Sequence, residues 1–296
     1  MNSLLTAAAP SKINLYLKVT GRREDGYHLL ESLFVPLSAP ADDIAVDCEM
    51  EPGQVTVATS RLDVPGGVEN LAGKAALRWA AKAAAMPGWD IQIVKNIPVA
   101  AGMGGGSSDA GTVLRLLNRH YGDKLTPAVL AETALELGAD VPFFLDPRPA
   151  VMTGIGELAE PLAFPLPELP LLIVAPGFPV SAAEAYRRLA PERIGPADTA
   201  WRAELLAALR VGDWEKLGRL LVNDLAPGVF EKYPILPLLE AELRASGALG
   251  VAMTGSGPTL FALFADAAAV ERQGAIWRER YPEFQIVAAR GWSCRD

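Results

Sequence analysis

A glycine-rich segment in the first half of this 296-residue chain constrains its fold most. It consists of Pro98, Val99, Ala100, Ala101, Gly102, Met103, Gly104, Gly105, Gly106, Ser107 and Ser108. Residues 90–97 are rich in β-branched side chains and predict a strand, whereas the apolar positions of residues 109–118 recur as on one face of a helix. A strand, a glycine loop and a helix N-terminus form an anion site, because free backbone N–H groups and the helix dipole both face the ligand. We therefore predict that the segment binds a nucleotide phosphate.

Three well-known phosphate loops do not fit these residues. A P-loop carries a lysine before its last Ser or Thr, where this chain has Gly106. A dinucleotide fingerprint that begins at Gly102 needs its last glycine where Ser107 stands. The protein-kinase motifs are absent from the sequence. The simplest alternative is a plain glycine-rich turn before a helix that Ser107 or Ser108 caps.

Composition narrows the possible partners. The length of 296 residues is enough for one large or two ordinary domains with real cores, and a composition of 50% hydrophobic and 21% charged residues predicts a globular chain. The net charge of −8 argues against binding to nucleic acid or to an anionic membrane surface. Cys48 and Cys294 lack metal-ligand spacing, no stretch of about 20 apolar residues is present, and the first residues lack a basic signal-peptide region. We expect a cytoplasmic protein without a metal site of its own, and its oligomeric state stays open.

Local signals predict an α+β fold. Residues 12–19 alternate strictly between apolar and polar side chains and indicate a strand. Asn70 caps a predicted helix that runs to about Met86, and Thr126 with Pro127 begins another. Strands and helices mix in both halves, and the prolines of residues 161–170 suggest domains over 1–160 and 161–296.

Two pairs of residues carry candidate chemistry. Lys12 begins a strand and Asp140 follows a helix, and phosphoryl transfer to an alcohol needs a proton acceptor and a nearby cation. The alternative is a surface ion pair or two unrelated residues. Tyr27 and His28 lie in a glycine-bounded turn, where an aromatic ring can stack on a base, although a turn without a role is the alternative.

A second glycine loop, Gly255-Ser256-Gly257-Pro258, separates two apolar segments. It can add donors around the phosphates if it folds beside the first loop. Otherwise it is a tight hairpin turn.

Taken together and in this order, five segments resemble the GHMP small-molecule kinases. They are residues 10–14, 21–28, 98–108, 138–143 and 253–258. Residues 21–28 are the most specific and are similar to the branch that phosphorylates the 2-hydroxyl of cytidine diphosphate methylerythritol in non-mevalonate isoprenoid synthesis. The resemblance implies a two-domain α+β fold with the active site in the interdomain cleft.

The resemblance also implies roles for individual residues. Asp140 would act as general base with Lys12 as its partner. Residues 98–108 would wrap the triphosphate of ATP, with Ser107 or Ser108 near the Mg²⁺ that accompanies it.

At the substrate end, Tyr27 and His28 would clamp the cytosine ring. Tyr186 would stack on its other face, and Asn14 would make a polar contact to the small-molecule substrate.

Three positions depart from the family pattern. Met103 stands where leucine is usual, Gly111 where alanine is expected, and Ala182 where threonine is expected. Gly111 should weaken its helix by up to ~1 kcal/mol, and Ala182 removes one hydroxyl contact near Tyr186.

Two other hypotheses remain. The first is a GHMP kinase for mevalonate-like, homoserine-like or sugar substrates, which has no use for a stacking clamp at Tyr27 and His28. The second is a nucleotide-binding protein without catalysis.

Overall fold

The computed structural model describes residues 3–85 and 87–292, so Met86 and Cys294 lie outside the described residues. The strands are β1 (Leu4–Arg22), β2 (His28–Met50), β3 (Val55–Thr59), β4 (Gly88–Val94), β5 (Ala150–Thr153), β6 (Leu158–Pro161), β7 (Leu171–Ala175), β8 (Val222–Asn223), β9 (Gly250–Met253), β10 (Leu260–Leu263), β11 (Gln285–Ala288) and β12 (Arg290–Gly291). The helices are α1 (Leu71–Lys82), α2 (Gly105–His120), α3 (Pro127–Leu137), α4 (Ala182–Arg187), α5 (Thr199–Val211), α6 (Trp214–Leu220), α7 (Ala226–Lys232), α8 (Ile235–Ala245) and α9 (Ala267–Arg280).

The first sheet has the order β3-β4-β2-β1-β8, with β5 and β12 also paired to β2 and β6 paired to β5. Long antiparallel pairing of β1 with β2 confirms the predicted strand over residues 12–19. The polar side of that strand is not a solvent face, since Lys12, Asn14 and Tyr16 are at most 3% exposed. Helices α1 and α2 cover one side of the sheet, and β7, α5 and α6 of the second half pack on the other.

The second sheet is antiparallel, in the order β11-β7-β10-β9. Its core includes Leu172, Leu236 and Phe264, and Leu17 and Val19 of β1 pack into the same cluster. Strands β8 and β12 of the second half in turn join the first sheet. The two halves therefore share cores along β1, and the division at residue 160 stays a prediction. No helix within the described ranges is long and apolar enough to cross a membrane.

Helix α2 begins earlier than the sequence pattern indicated. It starts at Gly105 after Gly104, which has φ +74° and makes no side-chain cap. Capping by Ser107 or Ser108 is therefore wrong, because both residues lie within the first helical turn. Glycine at 104 adopts this positive φ without strain, so the chain can turn directly into the helix. It also leaves room for the Phe144 ring, since a Cβ at this position would lie 2.9 Å from that ring. Thr126 and Asn70 do cap their helices as predicted.

Candidate active site

A cleft of about 940 Å³ is lined by predicted site residues from both halves of the chain. Those that line it are Lys12, Asn14, Tyr27, His28, Gly102, Gly104, Ser107, Asp140 and Tyr186. Gly255 and Ser256 of the second glycine loop line it as well. The loop residues Pro98, Val99, Ala100, Ala101, Met103, Gly105, Gly106 and Ser108 are not part of its lining. Met103 and Ala101 are instead buried, and they hold the loop against the rest of the fold.

The two glycine loops touch backbone to backbone. A Cβ on Gly102 would lie 2.2 Å from the Thr254 carbonyl oxygen, and one on Gly255 would lie 2.6 Å from the Gly102 carbonyl oxygen. The second loop is thus both the turn between β9 and β10 and a neighbour of the first. The Lys12 N–H donates to the Met103 carbonyl at 3.0 Å, which fixes β1 to the first loop. Small residues are required here because the backbones approach within contact distance.

Lys12 and Asp140 form the predicted pair. The Lys12 Nζ lies 3.7 Å from Asp140 Oδ2, and their side chains are 4% and 33% exposed. Nζ also donates to Asn14 Oδ1 at 2.8 Å and lies 4.4 Å from the centre of the Phe34 ring. Burial lowers the pKa of Lys12, while the negative charge of Asp140 opposes that shift. The amine of Lys12 is therefore held beside a carboxylate that is open to the cleft.

Asn14 orients this lysine. Its amide nitrogen donates to Ser32 Oγ at 2.8 Å, and its Oδ1 accepts from Thr254 Oγ1 at 3.1 Å as well as from Lys12. Thr254 also accepts the backbone N–H of Asn14 at 3.0 Å. Sequence reasoning missed Ser32 and Phe34, which carry no motif, whereas Thr254 lies inside the 253–258 segment. The predicted contact from Asn14 to the substrate stays a prediction.

The start of α2 faces the cleft. The N–H groups of residues 105–107 have no partner within the helix by its geometry, whereas the Ser108 N–H donates to Gly104 at 2.8 Å. Ser107 lines the cleft, but Ser108 Oγ is buried without a hydrogen-bond partner. Ser107 is thus the serine that reaches the cleft. This arrangement suits a phosphate group.

Three aromatic side chains, those of Tyr27, His28 and Tyr186, also line the cleft. The His28 and Tyr186 rings stack with centroids 5.0 Å apart and an interplanar angle of 20°. A base between two rings needs about 7 Å, twice the carbon–carbon contact of about 3.5 Å, so none fits between this pair as arranged. Tyr27 is 61% exposed and free to stack. Burial and then the positive charge of Arg22 lower the pKa of His28, which favours the neutral imidazole.

Comparisons with known proteins identify the same family as the five sequence segments. Residues 70–146 match the GHMP kinases N terminal domain, and residues 205–283 match GHMP kinases C terminal. A 4-diphosphocytidyl-2-C-methyl-D-erythritol kinase from Pelotomaculum thermopropionicum is 38% identical over 99% of both chains. This chain belongs to the 4-diphosphocytidyl-2-C-methyl-D-erythritol kinase family of GHMP kinases.

Solved structures agree with the family assignment. A crystal structure of a 4-(cytidine 5'-diphospho)-2C-methyl-D-erythritol kinase is 36% identical, has a TM-score of 0.79 and covers 98% of this chain and 100% of its own. A homoserine kinase from Cytophaga hutchinsonii has a TM-score of 0.74 at 18% identity, covers 98% of this chain and 96% of its own, and shares the fold alone. The predicted α+β GHMP kinase fold and the resemblance are confirmed.

In this GHMP kinase the expected weakening of α2 at Gly111 has a packing reason. A Cβ there would lie 2.7 Å from Phe144 Cβ and 3.2 Å from the Val141 carbonyl oxygen. Glycine therefore lets α2 pack closely on the turn that follows Asp140. Glycine lowers the helix propensity of α2 at this position, but it allows the turn after Asp140 to pack closely against the helix.

A buried ion cluster lies beneath the glycine loop of the kinase, and sequence reasoning missed it. Lys95 donates to Asp42 and, at 2.6 Å, to Asp109 Oδ2, and all three side chains are at most 4% exposed. Asp42 Oδ1 also accepts the N–H groups of Asn96 and Ile97 at 2.6 and 2.8 Å. Burial raises the pKa of Asp109 to about 7, while Lys95 opposes that shift. The cluster ties β2, the end of β4 and the start of α2 together.

Proposed function

We propose that this small-molecule kinase transfers the γ-phosphoryl group of ATP to the 2-hydroxyl of 4-diphosphocytidyl-2-C-methyl-D-erythritol, in the non-mevalonate route to isoprenoids. The observation that carries the proposal is the Lys12–Asp140 pair in the same cleft as the start of α2 and the aromatic group of Tyr27, His28 and Tyr186. The names of the relatives support the substrate. Mevalonate-like or homoserine-like substrates have no base for these rings to stack on.

Asp140 accepts the hydroxyl proton while the substrate oxygen attacks the γ-phosphorus. The new O–P bond forms as the bond between the γ-phosphorus and the β–γ bridging oxygen breaks, and ADP leaves with that electron pair. The Lys12 ammonium lies 3.7 Å from the Asp140 carboxylate and stabilises the negative charge that develops on the oxygens. Asn14 holds Lys12 in place through its Oδ1.

Residues 98–108 hold the triphosphate of ATP, chiefly through the N–H groups at the start of α2. We expect Mg²⁺ to accompany the nucleotide and to be held mainly by its phosphate oxygens, since Mg²⁺ is bound in kinase sites through substrate phosphates and few protein ligands. Ser107 is the residue whose hydroxyl would help to hold it, since Ser108 is buried. When bound, the ion neutralises charge on the phosphates.

The cytosine ring stacks on Tyr27 and Tyr186, and the neutral His28 can both donate to and accept from the edge of the base. His28 must leave the face of Tyr186 that it covers for a base to stack there. We also propose that the domains meet near residue 160. The family segments 70–146 and 205–283, which lie on either side, support this boundary. The cytoplasmic location and the absence of nucleic-acid and membrane partners stay predictions.

A coupled ADP-release assay with a panel of alcohols tests the function. We expect ADP release with the cytidyl substrate, and the proposal fails if that substrate gives none while mevalonate or homoserine does. Asp140→Asn should bind ATP normally and lower kcat by at least about 100-fold. Asp146→Asn is the matched control, because Asp146 is exposed and pairs with Arg148 on the surface. Equal turnover of the two variants would remove Asp140 from the mechanism.

A further inference from the structure

The charged side chains that line the cleft are not all neutralised within the protein. They are Lys12, Arg22, Asp25, Asp140 and Arg187. Lys12 pairs with Asp140, and Asp25 pairs with Arg23 at 2.6 Å. Arg22 donates only to the Gly26 carbonyl oxygen at 3.4 Å. Neither Arg22 nor Arg187 forms an ion pair with any residue within 3–85 and 87–292.

The local arrangement of α4 leaves Arg187 unpaired. Glu184 lies on the same helix but already accepts from Arg188 at 3.4 Å and from Lys232. The chain has 35 acidic residues against 27 basic ones, so carboxylates are not scarce. Two exposed arginines without a carboxylate partner in one cleft indicate an anionic ligand group, since guanidinium groups bind phosphate oxygens through two parallel hydrogen bonds.

Each of the two arginines neighbours an aromatic residue of the cleft lining. Arg22 ends β1, and its charge acts on the His28 ring. Arg187 directly follows Tyr186, whose ring stacks on His28. Asp140 lies close enough to Tyr186 that its charge helps to raise the pKa of that phenol, after burial. The stacking rings, the arginines and the Lys12–Asp140 pair therefore surround one continuous space.

We propose that Arg22 and Arg187 bind the diphosphate of the substrate, so that the enzyme distinguishes a cytidine diphosphate alcohol from an uncharged alcohol. The inference rests on the proposed function, in which the base is bound at one end of the substrate and the reacting hydroxyl at the other. The diphosphate joins these two parts and lies between them. Asp25 and Asp140 also line this space, but each already pairs with a cation of the protein, so Arg22 and Arg187 are the two cleft-lining charges named above without a carboxylate partner.

A cycle of ligand truncation and mutation tests the proposal. Calorimetric titrations compare cytidine with cytidine diphosphate, with a non-hydrolysable ATP analogue saturating the nucleotide site. Arg22→Ala and Arg187→Ala should each weaken the binding of cytidine diphosphate about tenfold and leave that of cytidine unchanged. Arg187→Lys should recover part of the loss. Arg188→Ala is the matched control, because Arg188 neighbours Arg187 but pairs with Glu184.

Steady-state kinetics supply a second readout. The variants should raise the KM for the cytidyl substrate about tenfold and leave kcat and the KM for ATP unchanged. Equal losses for cytidine and cytidine diphosphate, or no loss beyond that of Arg188→Ala, would overturn the role of the arginines. Failure of the proposed function is a separate result, namely no turnover of the cytidyl substrate by the unmodified chain. Both arginines are exposed, so their truncation leaves the cores intact.

Discussion

Replacing Lys95 with methionine tests how strongly the buried ion cluster beneath the glycine loop stabilises this fold. Methionine keeps an apolar side chain of similar length but removes the cation between Asp42 and Asp109. The two carboxylates are 0% and 3% exposed, so the variant leaves negative charge in an environment that solvates it poorly.

The burial of the two carboxylates determines how much unfolding free energy the variant should lose. Breaking a buried pair by removing one partner costs about 3–5 kcal/mol, because the remaining charge is uncompensated. Here one cation serves two carboxylates, and only Asp42 has further donors, the N–H groups of Asn96 and Ile97. We therefore expect Lys95→Met to lower the free energy of unfolding by about 4 kcal/mol at pH 8, a large part of the roughly 5–15 kcal/mol typical of a domain.

The loss should depend on pH in a defined direction. The pKa of Asp109 is about 7 in the folded protein, against 3.8 as its ordinary value. Its protonated form is thus favoured in the folded state, and stability from this group declines as the pH rises through about 7. Removing Lys95 takes away the cation that opposes this shift, so the pKa of Asp109 rises further and the folded variant binds more protons. The deficit of Lys95→Met should therefore shrink between pH 8 and pH 5.

Urea unfolding followed by circular dichroism at pH 5 and pH 8 measures these effects. Lys82→Met is the control, because Lys82 pairs with Glu136 at 3.0 Å on the surface. This variant should lower the free energy of unfolding by at most about 1 kcal/mol. Adding Asp109→Asn to Lys95→Met should restore part of the stability. A loss no larger than that of Lys82→Met, or one that is the same at both pH values, would show that Lys95 does not stabilise the fold by compensating these two carboxylates.

Three further predictions concern single positions. Ala100 has φ +49°, so Ala100→Gly should relieve strain and raise the free energy of unfolding by about 0.5 kcal/mol, whereas Ala101→Gly should lower it. Urea unfolding compares the two, and losses of equal size would show that Ala100 is not strained. Gly111→Ala should cost about 1 kcal/mol despite better helix propensity, because its Cβ would lie 2.7 Å from Phe144 Cβ. A higher melting temperature would contradict the close packing. Tyr27→Ala should raise the KM for the cytidyl substrate about tenfold and leave the KM for ATP unchanged, and Tyr27→Phe should not. Equal effects on both KM values would argue against the stacking role of this ring.

Features encoded within a few residues were accessible from the sequence. The alternation of residues 12–19 predicts a strand, and the caps at Asn70 and Thr126 predict helix starts that the structure confirms. The glycine loop before α2 predicts a phosphate site for the same reason, since the positive φ of Gly102 and Gly104 is a local property of glycine. Five short segments in order were enough to identify the family.

Features that join distant segments were decided only by tertiary packing. The sequence could list Lys12 and Asp140 but not their separation of 3.7 Å, nor that Asn14 and Thr254 orient the lysine. The stack of His28 on Tyr186 depends on how α4 meets the turn before β2.

The role of Lys95 could not be predicted from the sequence either, because a single lysine after a strand belongs to no motif. Its two carboxylate partners come from β2 and α2, which approach it only in the folded chain. Local preferences are set by neighbours along the chain and can be predicted from them. The environment of a side chain in the cleft or the core depends on which elements pack against each other, and only the folded chain determines that.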